Sequence, residues 1–385
     1  MTQVPLPAGF RAAGISAGIK ASGDPDLALV LLDVPGRAAA LYTRNELVGA
    51  HVTLCREHLA ATGGRARALL VNSGNANCAT GQAGLDDARA LADAVASRVG
   101  CKAEQVLVMS TGVIGARLPL ERMLAALPEL HDAVSVDGTE NFARAIMTTD
   151  THAKHCSREL GKARLVGVAK GSGMIHPDMA TMLAYLFTDA SLGEDPHAQL
   201  RETNRTSFQR LSVDGDTSPN DTLLLLSSER AGLTGRLDDA LASVGSELAR
   251  AIAADGEGAT RLITIRVSGA PDEDAAAHVG RVIATSPLVK TAVAGRDPNW
   301  GRILSAAGRA GVSFPANRAL VRIGKSTVYS DGKPHPANEA AAADHLANER
   351  EVLLSIDLAA GSARADVWTC DLTADYVAIN ADYRT

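Results

Sequence analysis

The chain has 385 residues, a net charge of −6, 46% hydrophobic and 21% charged residues, and only 3% aromatic residues. This length and composition suit a soluble globular protein whose large core consists mainly of aliphatic side chains. The negative charge and the lack of basic runs argue against a nucleic-acid-binding surface. No apolar run approaches the roughly 20 residues that cross a bilayer.

The cysteines and histidines give no metal pattern. Five scattered cysteines without a CxxC pair predict reduced thiols, with neither a disulfide framework nor a zinc site. His152 and His155 lack the acidic or cysteine partners of a metal motif, and their setting predicts a solvated loop. The first ten residues, MTQVPLPAGF, lack the basic and apolar regions of a signal peptide. We therefore expect a cytoplasmic protein without a bound metal.

Strand-like and helix-like segments alternate along the first half of the chain. Short apolar runs predict buried strands, and apolar residues that recur every three or four positions predict helices. Gly100 fits the C-cap of the first helix, and Pro119 fits the start of the second. The predicted strands are 27–34, 66–71 and 105–109, and the predicted helices cover 85–99 and the stretch after Pro119.

The second half continues this mixture. A loop that contains glycine and proline, 171–181, separates two predicted strands. Asp195 and Pro196 predict the start of a helix, and apolar spacing predicts another helix at Leu241, Val244, Leu248 and Ile252. The predicted strands are 164–170, 182–188, 222–227, 261–267, 320–324, 351–358 and 365–370. The fold class is mixed α/β, and the absence of a clear linker or repeat leaves the domain boundaries open.

The Ala180–Thr181 pair suggests a nucleophile. A flexible loop precedes this pair and an apolar strand follows it. If Thr181 attacked the preceding carbonyl and cleaved the chain, its free α-amine, with a pKa near 8, would be a base for its own hydroxyl. The alternative is that Thr181 only begins a strand, where β-branched residues are common. Spacing alone favours that alternative.

Other polar segments allow a site or an ordinary turn. STGVIG (110–115) lies between a predicted strand and helix, where backbone N–H groups are free to bind an oxyanion. Without further context, a plain strand–turn–helix connection is the simpler interpretation. Turns also explain the polar residues of 71–81, 212–222 and 295–302. No phosphate-binding GxxxxGK[ST] motif is present.

Taken together, the motifs resemble one family over nearly the whole chain. They are NSGNAN (72–77), STGVIG (110–115), AIMTTDT (145–151), AKGSGMIHPDMATML (169–183), DGDTSPNDT (214–222), DGEGATR (255–261), GRDPNWGR (295–302) and NADYRT (380–385). In this order they resemble the ornithine acetyltransferase family, also called glutamate N-acetyltransferases. This resemblance reverses the preference for a simple strand start at Thr181.

The resemblance implies autocleavage between Ala180 and Thr181 into chains 1–180 and 181–385, which stay associated. The expected reaction is ping-pong: Thr181 takes acetyl from N-acetylornithine, ornithine leaves, and glutamate receives the acetyl group in arginine biosynthesis. Some members also accept acetyl-CoA, and the sequence leaves its use open. No other cofactor is expected. The expected assembly is a heterotetramer of two cleaved pairs, without nucleic acid or membrane.

The resemblance also implies roles for individual residues. Thr181 would be the nucleophile. The hydroxyl of Thr111 and the N–H of Gly112 would form the oxyanion hole. Residues expected to contact substrate are Thr148, Lys170, Thr181, Glu257, Asn380 and the last residue, Thr385. Lys170 suits a substrate carboxylate and Glu257 a substrate ammonium, although the sequence does not fix which charge meets which group.

The implied fold is a two-domain α/β (α+β) sandwich with sheets packed against helices, in a self-cleaving N-terminal-nucleophile enzyme. Pro219 departs from the family pattern, where a hydroxyl residue is expected, and removes one hydrogen bond. Two alternatives stand beside this interpretation. A self-cleaving aminopeptidase or amidase would pass the acyl group to water, and an uncleaved binding protein would perform no transfer.

Overall fold

Two β-sheets organise the chain. The computed structural model describes residues 4–176 and 182–382. The strands of these residues are β1 (Phe10–Ile15), β2 (Leu27–Tyr42), β3 (Arg65–Asn72), β4 (Val106–Ser110), β5 (Lys154–Leu160), β6 (Ala163–Lys170), β7 (Leu183–Ala190), β8 (Thr222–Gly232), β9 (Leu262–Ala270), β10 (Leu320–Ile323), β11 (Ser326–Ser330), β12 (Lys333–Pro334), β13 (Glu351–Asp357) and β14 (Ala363–Cys370).

Helices cover the faces of both sheets. They are α1 (Ala50–Ala61), α2 (Gly81–Val99), α3 (Leu120–Asp132), α4 (Thr139–Ala145), α5 (Pro196–Thr206), α6 (Leu237–Ala254), α7 (Glu273–Ala284), α8 (Pro287–Ala294), α9 (Trp300–Gly308), α10 (Glu339–Asn348) and α11 (Ala374–Asp382). Short 3₁₀ helices occupy Ala103–Gln105, Phe208–Arg210 and Pro336–Asn338. Within the described residues, no helix has both the length and the apolar character needed to span a membrane.

The larger sheet has the strand order β4-β3-β2-β8-β7-β6-β5, and β1 pairs with the first half of β2. Alternation along β2 sends successive side chains to opposite faces. Leu27 and Leu29 join a core cluster with α2 and α3, whereas Ala28 and Val30 join a cluster with α4. Both faces of this sheet are therefore buried.

The centre of the larger sheet contains strands from both sides of residue 180. Strand β7 pairs antiparallel with β6, with Lys170 opposite Leu183, and parallel with β8, with Leu183 opposite Thr222. All eight residues of β7 are buried. The start of β7 is thus held between the end of β6 and the start of β8.

The smaller sheet has the order β12-β11-β10-β13-β9-β14. Helix α7 packs against β9 and β14, and α6 contacts these two strands as well as β5 and β6 of the larger sheet. Helix α6 therefore lies between the two sheets. Its apolar residues Leu241, Val244, Leu248 and Ile252 are at most 1% exposed. Val244 and Leu248 pack over Gly167, where a Cβ would approach Val244 to 2.3 Å.

The structure confirms the mixed α/β class and every predicted strand and helix, with small shifts in their bounds. Gly100 adopts the left-handed C-cap conformation, and Asp195 caps α5 through the N–H of Ala198. The prediction ended the first long strand at residue 34, but β2 continues to Tyr42 through an irregular stretch between Leu31 and Gly36. The helices α1, α4 and α7 to α11 and the strands β1, β5, β11 and β12 were not predicted. The division of the chain at residue 180 stays a prediction.

Helix α6 offers a test of the core between the sheets. We expect Leu248→Ala to lower the free energy of unfolding by about 2–5 kcal/mol, because it leaves a cavity at a fully packed site. Urea unfolding at pH 7 measures the change. Leu233→Ala is the matched control, because Leu233 is 83% exposed, and its effect should stay within about 0.5 kcal/mol. Equal effects in the two variants would contradict this account of the core.

Candidate active site

A cavity of about 240 Å³ lies where several chain segments meet. Its walls come from the turn after β4, the end of β6, the start of β7, the loop before β8, the turn after α6, and α11. The lining residues that were predicted as site residues are Thr111, Gly112, Thr148, Lys170, Glu257 and Asn380. The predicted residues Ala180, Thr181 and Thr385 lie outside the described residues. Met182, which follows Thr181 in the chain, also lines the cavity.

The turn after β4 places Thr111 and Gly112 at the cavity wall. The N–H of Thr111 donates to the carbonyl of Asn72 at 3.0 Å, which fixes the turn on β3. Gly112 has a φ of 128°, and a Cβ there would lie 2.4 Å from the carbonyl carbon of Gly74. Only glycine fits this backbone position without movement. The close packing presents the backbone of Gly112 to the cavity.

Lys170 ends β6 and projects into the cavity. Its Nζ donates to Thr111 Oγ1 at 3.4 Å. Since that oxygen accepts from Lys170, the hydroxyl hydrogen of Thr111 is free to donate elsewhere. Burial lowers the pKa of Lys170, and the nearby carboxylate of Asp150 opposes that shift. Lys170 is buried and thus brings a positive charge to the cavity wall.

A buried charge cluster lies behind Lys170. Lys154 Nζ contacts Asp150 Oδ1 at 2.7 Å and Asp255 Oδ2 at 2.5 Å, and the side chains of Lys154 and Asp150 have no exposed surface. Asp150 also accepts from the N–H of Gly171 at 2.6 Å and from the N–H of Thr148 at 3.0 Å. This cluster therefore fixes the backbone on both sides of the cavity, at Thr148 and next to Lys170.

Asp150 is held in its ionised form. Burial alone would raise its pKa, but the charges of Lys170 and Lys154 and the N–H of Gly171 outweigh burial and lower the pKa to about 2. Asp150 was not predicted as a site residue, although it lies within the AIMTTDT motif. Its spacing of four residues from Lys154 was a signal, but that spacing alone does not show burial.

Glu257 and Asn380 meet at the cavity wall. Asn380 Nδ2 donates to Glu257 Oε2 at 2.8 Å, although the two residues are 123 positions apart. The N–H of Glu257 donates to the carbonyl of Ser172 at 3.0 Å. A Cβ on Gly173 would lie 2.3 Å from the Glu257 carboxylate. The structure thus brings together two of the predicted substrate-binding residues on a tightly packed wall.

The loop before β8 contributes six lining residues that the sequence did not predict. Asp214, Asp216, Ser218, Pro219, Asn220 and Asp221 all line the cavity. The turn interpretation of 212–222 was therefore incomplete, because its carboxylates also form a wall. In contrast, Asn299 of the 295–302 segment caps α9 by accepting from Arg302, which agrees with a turn there.

Asp214 ties this loop to the segment before the predicted cleavage position. Its carboxylate accepts from the N–H of Met174 at 2.6 Å and from the N–H of Ile175 at 2.9 Å. Burial raises the pKa of Asp214 in spite of these hydrogen bonds. Burial also raises the pKa of Tyr376, which lines the cavity and is hydrogen-bonded to Asp214.

The cavity wall is more acidic than basic. Asp214, Asp216, Asp221 and Glu257 line it together with Lys170. Such a site suits a small molecule with an ammonium group as well as a carboxylate, because both charges find a partner.

The histidine prediction needs a correction. His155 lies in β5 and not in a solvated loop, its side chain is only 13% exposed, and its Nε2 lies 2.7 Å from Glu140 Oε2. In β5 the neighbours Lys154 and Cys156 are buried and His155 between them is partly buried, and the spacing of the two histidines does not reveal the strand. His152, at 56% exposure, does lie in a loop. In residues 4–176 and 182–382, no group of three or more potential ligands could hold a metal ion.

The fold and the cavity define an α/β protein with a small, concave and charged site of the kind that enzymes use. The family model described as the ArgJ family matches residues 11–385. The chain belongs to the ArgJ family.

Curated relatives match along their whole length. The chain is 47% identical to the arginine biosynthesis bifunctional protein ArgJ of Thermosynechococcus vestitus, over 98% of this chain and 96% of that protein. It is 45% identical to the protein of the same name from Deinococcus radiodurans, over 100% and 99%. A solved structure of Mycobacterium tuberculosis ornithine acetyltransferase complexed with ornithine is 42% identical, covers 47% of this chain and 98% of that chain, and has a TM-score of 0.44.

The buried charge cluster makes stability depend on pH. We expect Asp150→Asn to lower the free energy of unfolding at pH 6 by about 3 kcal/mol, because Lys170 and Lys154 lose a buried counter-charge. The folded pKa of Asp150, about 2, lies below the usual value of 3.8. The carboxylate therefore stabilises the fold above pH 4, and this stabilisation is lost as the pH falls towards 2.

Urea unfolding of wild type and Asp150→Asn at several pH values between 6 and 2.5 measures this effect. The difference between their free energies of unfolding should narrow as the pH falls. Asp366→Asn is a suitable control, because its salt bridge with Arg266 at 2.8 Å lies at the surface and is worth little. A constant gap between wild type and Asp150→Asn across this range would contradict the assignment.

Proposed function

We propose that this protein transfers an acetyl group from N-acetylornithine to glutamate in arginine biosynthesis, through an acetyl ester on Thr181. One observation carries this proposal. Thr111, Gly112, Lys170 and Glu257 converge on the cavity that Met182, the next residue in the chain, also lines. Membership of the ArgJ family supports the pathway, since the curated relatives are named as arginine biosynthesis bifunctional proteins.

Self-cleavage is the first step of the proposal. The Thr181 hydroxyl oxygen bonds to the Ala180 carbonyl carbon, the C–N bond breaks, and one proton moves from oxygen to nitrogen. Water then hydrolyses the resulting ester and leaves Thr181 with a free α-amine. This amine, with a pKa near 8 in the unperturbed state, is a base for the neighbouring hydroxyl.

Acetyl transfer uses the same hydroxyl twice. Its oxygen attacks the acetyl carbon of N-acetylornithine, and ornithine leaves as the amine after taking up a proton. The amine of glutamate then attacks the acetyl ester and restores the hydroxyl. In both steps negative charge develops on the acetyl oxygen. The free hydroxyl hydrogen of Thr111 and the N–H of Gly112 are the proposed donors to that oxygen.

The charged walls fit substrates of this class. A substrate α-carboxylate would pair with Lys170, and the side-chain ammonium of ornithine would lie near Glu257, which Asn380 orients at 2.8 Å. Thr148 and Thr385 complete the proposed contacts. Acetyl-CoA remains a proposed second donor, consistent with the word "bifunctional" in the names of the relatives, and no other cofactor is proposed.

The two proposed chains, 1–180 and 181–385, would stay joined. Strands β6 and β2 come from the first and pair with β7 and β8 of the second, each through six residue pairs. Breaking the loop between β6 and β7 removes none of these pairs. We further propose a heterotetramer of two cleaved units and a cytoplasmic location.

Cleavage is tested by a denaturing gel and intact mass on freshly purified protein. We expect two fragments, the second beginning at Thr181, and a single uncleaved chain for Thr181→Ala. Thr188→Ala is the control, since Thr188 lies at the far end of β7, and it should still cleave. An intact wild-type chain, or cleavage that persists in Thr181→Ala, would overturn the proposal. Acetyl transfer that depends on glutamate would distinguish the proposed transferase from an amidase, which would release acetate steadily whether or not glutamate is present.

The oxyanion role of Thr111 is tested by a matched pair of variants. We expect Thr111→Ala to slow acetyl transfer by about 10²–10³-fold, because one donor to the developing charge is lost. Thr111→Ser keeps the hydroxyl and should stay within about tenfold of wild type. Initial rates of glutamate acetylation on cleaved protein give the comparison. A Thr111→Ala rate equal to that of wild type would remove this residue from the site.

A further inference from the structure

Asp221 is a buried carboxyl group on the cavity wall with an unused oxygen. The residue is only 3% exposed and lines the cavity. Within the described part of the chain, its Oδ2 has no hydrogen-bond partner. A buried carboxyl oxygen without a partner costs free energy. The unpaired Oδ2 of Asp221 therefore indicates that another group contacts this oxygen during function.

The backbone fixes Asp221 beside the start of β7. The N–H of Thr43 donates to the Asp221 carbonyl at 2.9 Å, and the N–H of Thr222 donates to the Met182 carbonyl at 2.8 Å. Thr222 of β8 lies opposite Leu183 of β7 in a parallel pairing. Asp221 directly precedes Thr222 and Met182 directly precedes Leu183, so these two residues occupy matching positions before the two strands. The covalent chain places residue 181 directly before Met182. Asp221 is therefore built into the cavity wall that Met182 also lines.

Burial of Asp221 favours its protonated form. Burial raises its pKa well above 3.8, opposed by hydrogen bonds from Ser218 and by the charge of Lys170, and the charge of Asp214 adds to the rise. Lys170 itself faces Asp150, Lys154 and Glu257 as well as Asp221, so its charge is shared among several carboxylates. Asp221 is thus a proton donor at a pH where an exposed aspartate is ionised.

We propose that Asp221 supplies the proton to the amide nitrogen of residue 181 during self-cleavage. The inference rests on the function proposed above. As the hydroxyl oxygen bonds to the Ala180 carbonyl carbon and the C–N bond breaks, the nitrogen takes the Asp221 proton. The proton released by the hydroxyl returns to the Asp221 carboxylate, so the carboxyl group ends unchanged. An amide nitrogen is a poor leaving group without such a donor, and general acids typically contribute 10²–10⁴-fold.

The test follows cleavage of the full chain made by cell-free translation, on denaturing gels at pH values from 5.5 to 9. The wild-type rate should fall as the pH rises through the raised pKa of Asp221, because the donor form exists only below it. Asp221→Asn keeps the size of the side chain but cannot supply this proton. It should cleave about 10²-fold more slowly and lose this pH dependence.

Asp189→Asn is the matched control. Asp189 is buried at the far end of β7, where it accepts from the N–H groups of Arg164 and Ala8. Its variant should keep the wild-type rate and pH profile. A slow Asp221→Asn with the wild-type pH profile would mean a purely structural role and overturn the inference, as would an unchanged rate. Should that variant misfold by circular dichroism, a wild-type rate that does not fall with rising pH would overturn the inference by itself.

The two proposals fail in different ways. Cleavage that persists in Thr181→Ala, or a wild type that never cleaves, contradicts the proposed function and this inference together. If cleavage requires Thr181 but is unchanged in Asp221→Asn, only the proposed role of Asp221 as proton donor is contradicted.

Discussion

The pairing of β7 with β6 on one side and β8 on the other is the constraint on which the rest of the structure depends. Every residue of β7 is buried, so this strand has one register in which all its side chains pack. That register places Lys170 opposite Leu183 and Thr222 opposite the same residue. A shift of β7 by one position would turn its side chains to the opposite faces and move Met182 relative to Lys170 and Asp221. The precision of the site is thus a property of the sheet.

The cost of charge burial explains how the cavity wall is arranged. Lys154, Asp150 and Asp255 bury three charges in one cluster, where each finds a partner within 2.7 Å. Because Asp150 is also hydrogen-bonded to Gly171, the cluster holds the segment that follows Lys170 as well as neutralising charge. Removal of one member leaves the other charges buried without a full set of partners. This destabilises the fold far more than uncharged, well-packed side chains at the same positions would. The same residues therefore set both stability and site geometry.

Sequence patterns predicted the elements that depend on local periodicity. The apolar residues of the helix at 85–99 and of the strands around 66–71 and 164–170 recur at spacings typical of one kind of element. The family motifs added Thr111, Gly112, Thr148, Lys170, Glu257 and Asn380, and the structure brings these residues to one cavity. Their roles in catalysis and binding stay predictions.

The rest depends on contacts between distant segments. Lys154 and Asp255 are 101 residues apart, so no local spacing predicts that they pair. Asp214 and Asp221 occur in a segment whose composition is also typical of turns, and composition does not reveal which turn residues are buried. The helices that were not predicted, α1, α4 and α7 to α11, have only 7 to 12 residues, and helices this short depend on tertiary packing more than on a local sequence pattern.

The wide separation of the cavity residues has a consequence for the proposed self-cleavage. Thr111, Lys170, Asp221 and Glu257 come from four elements, and the described fold assembles them before any break in the chain is needed. A cleavage that uses these groups therefore requires a folded precursor, because in the unfolded chain they are far from residue 181. The proposed break lies in the segment between β6 and β7 and removes none of the residue pairs of these strands. Cleavage of this kind would free the α-amine without loosening the core that positions the site.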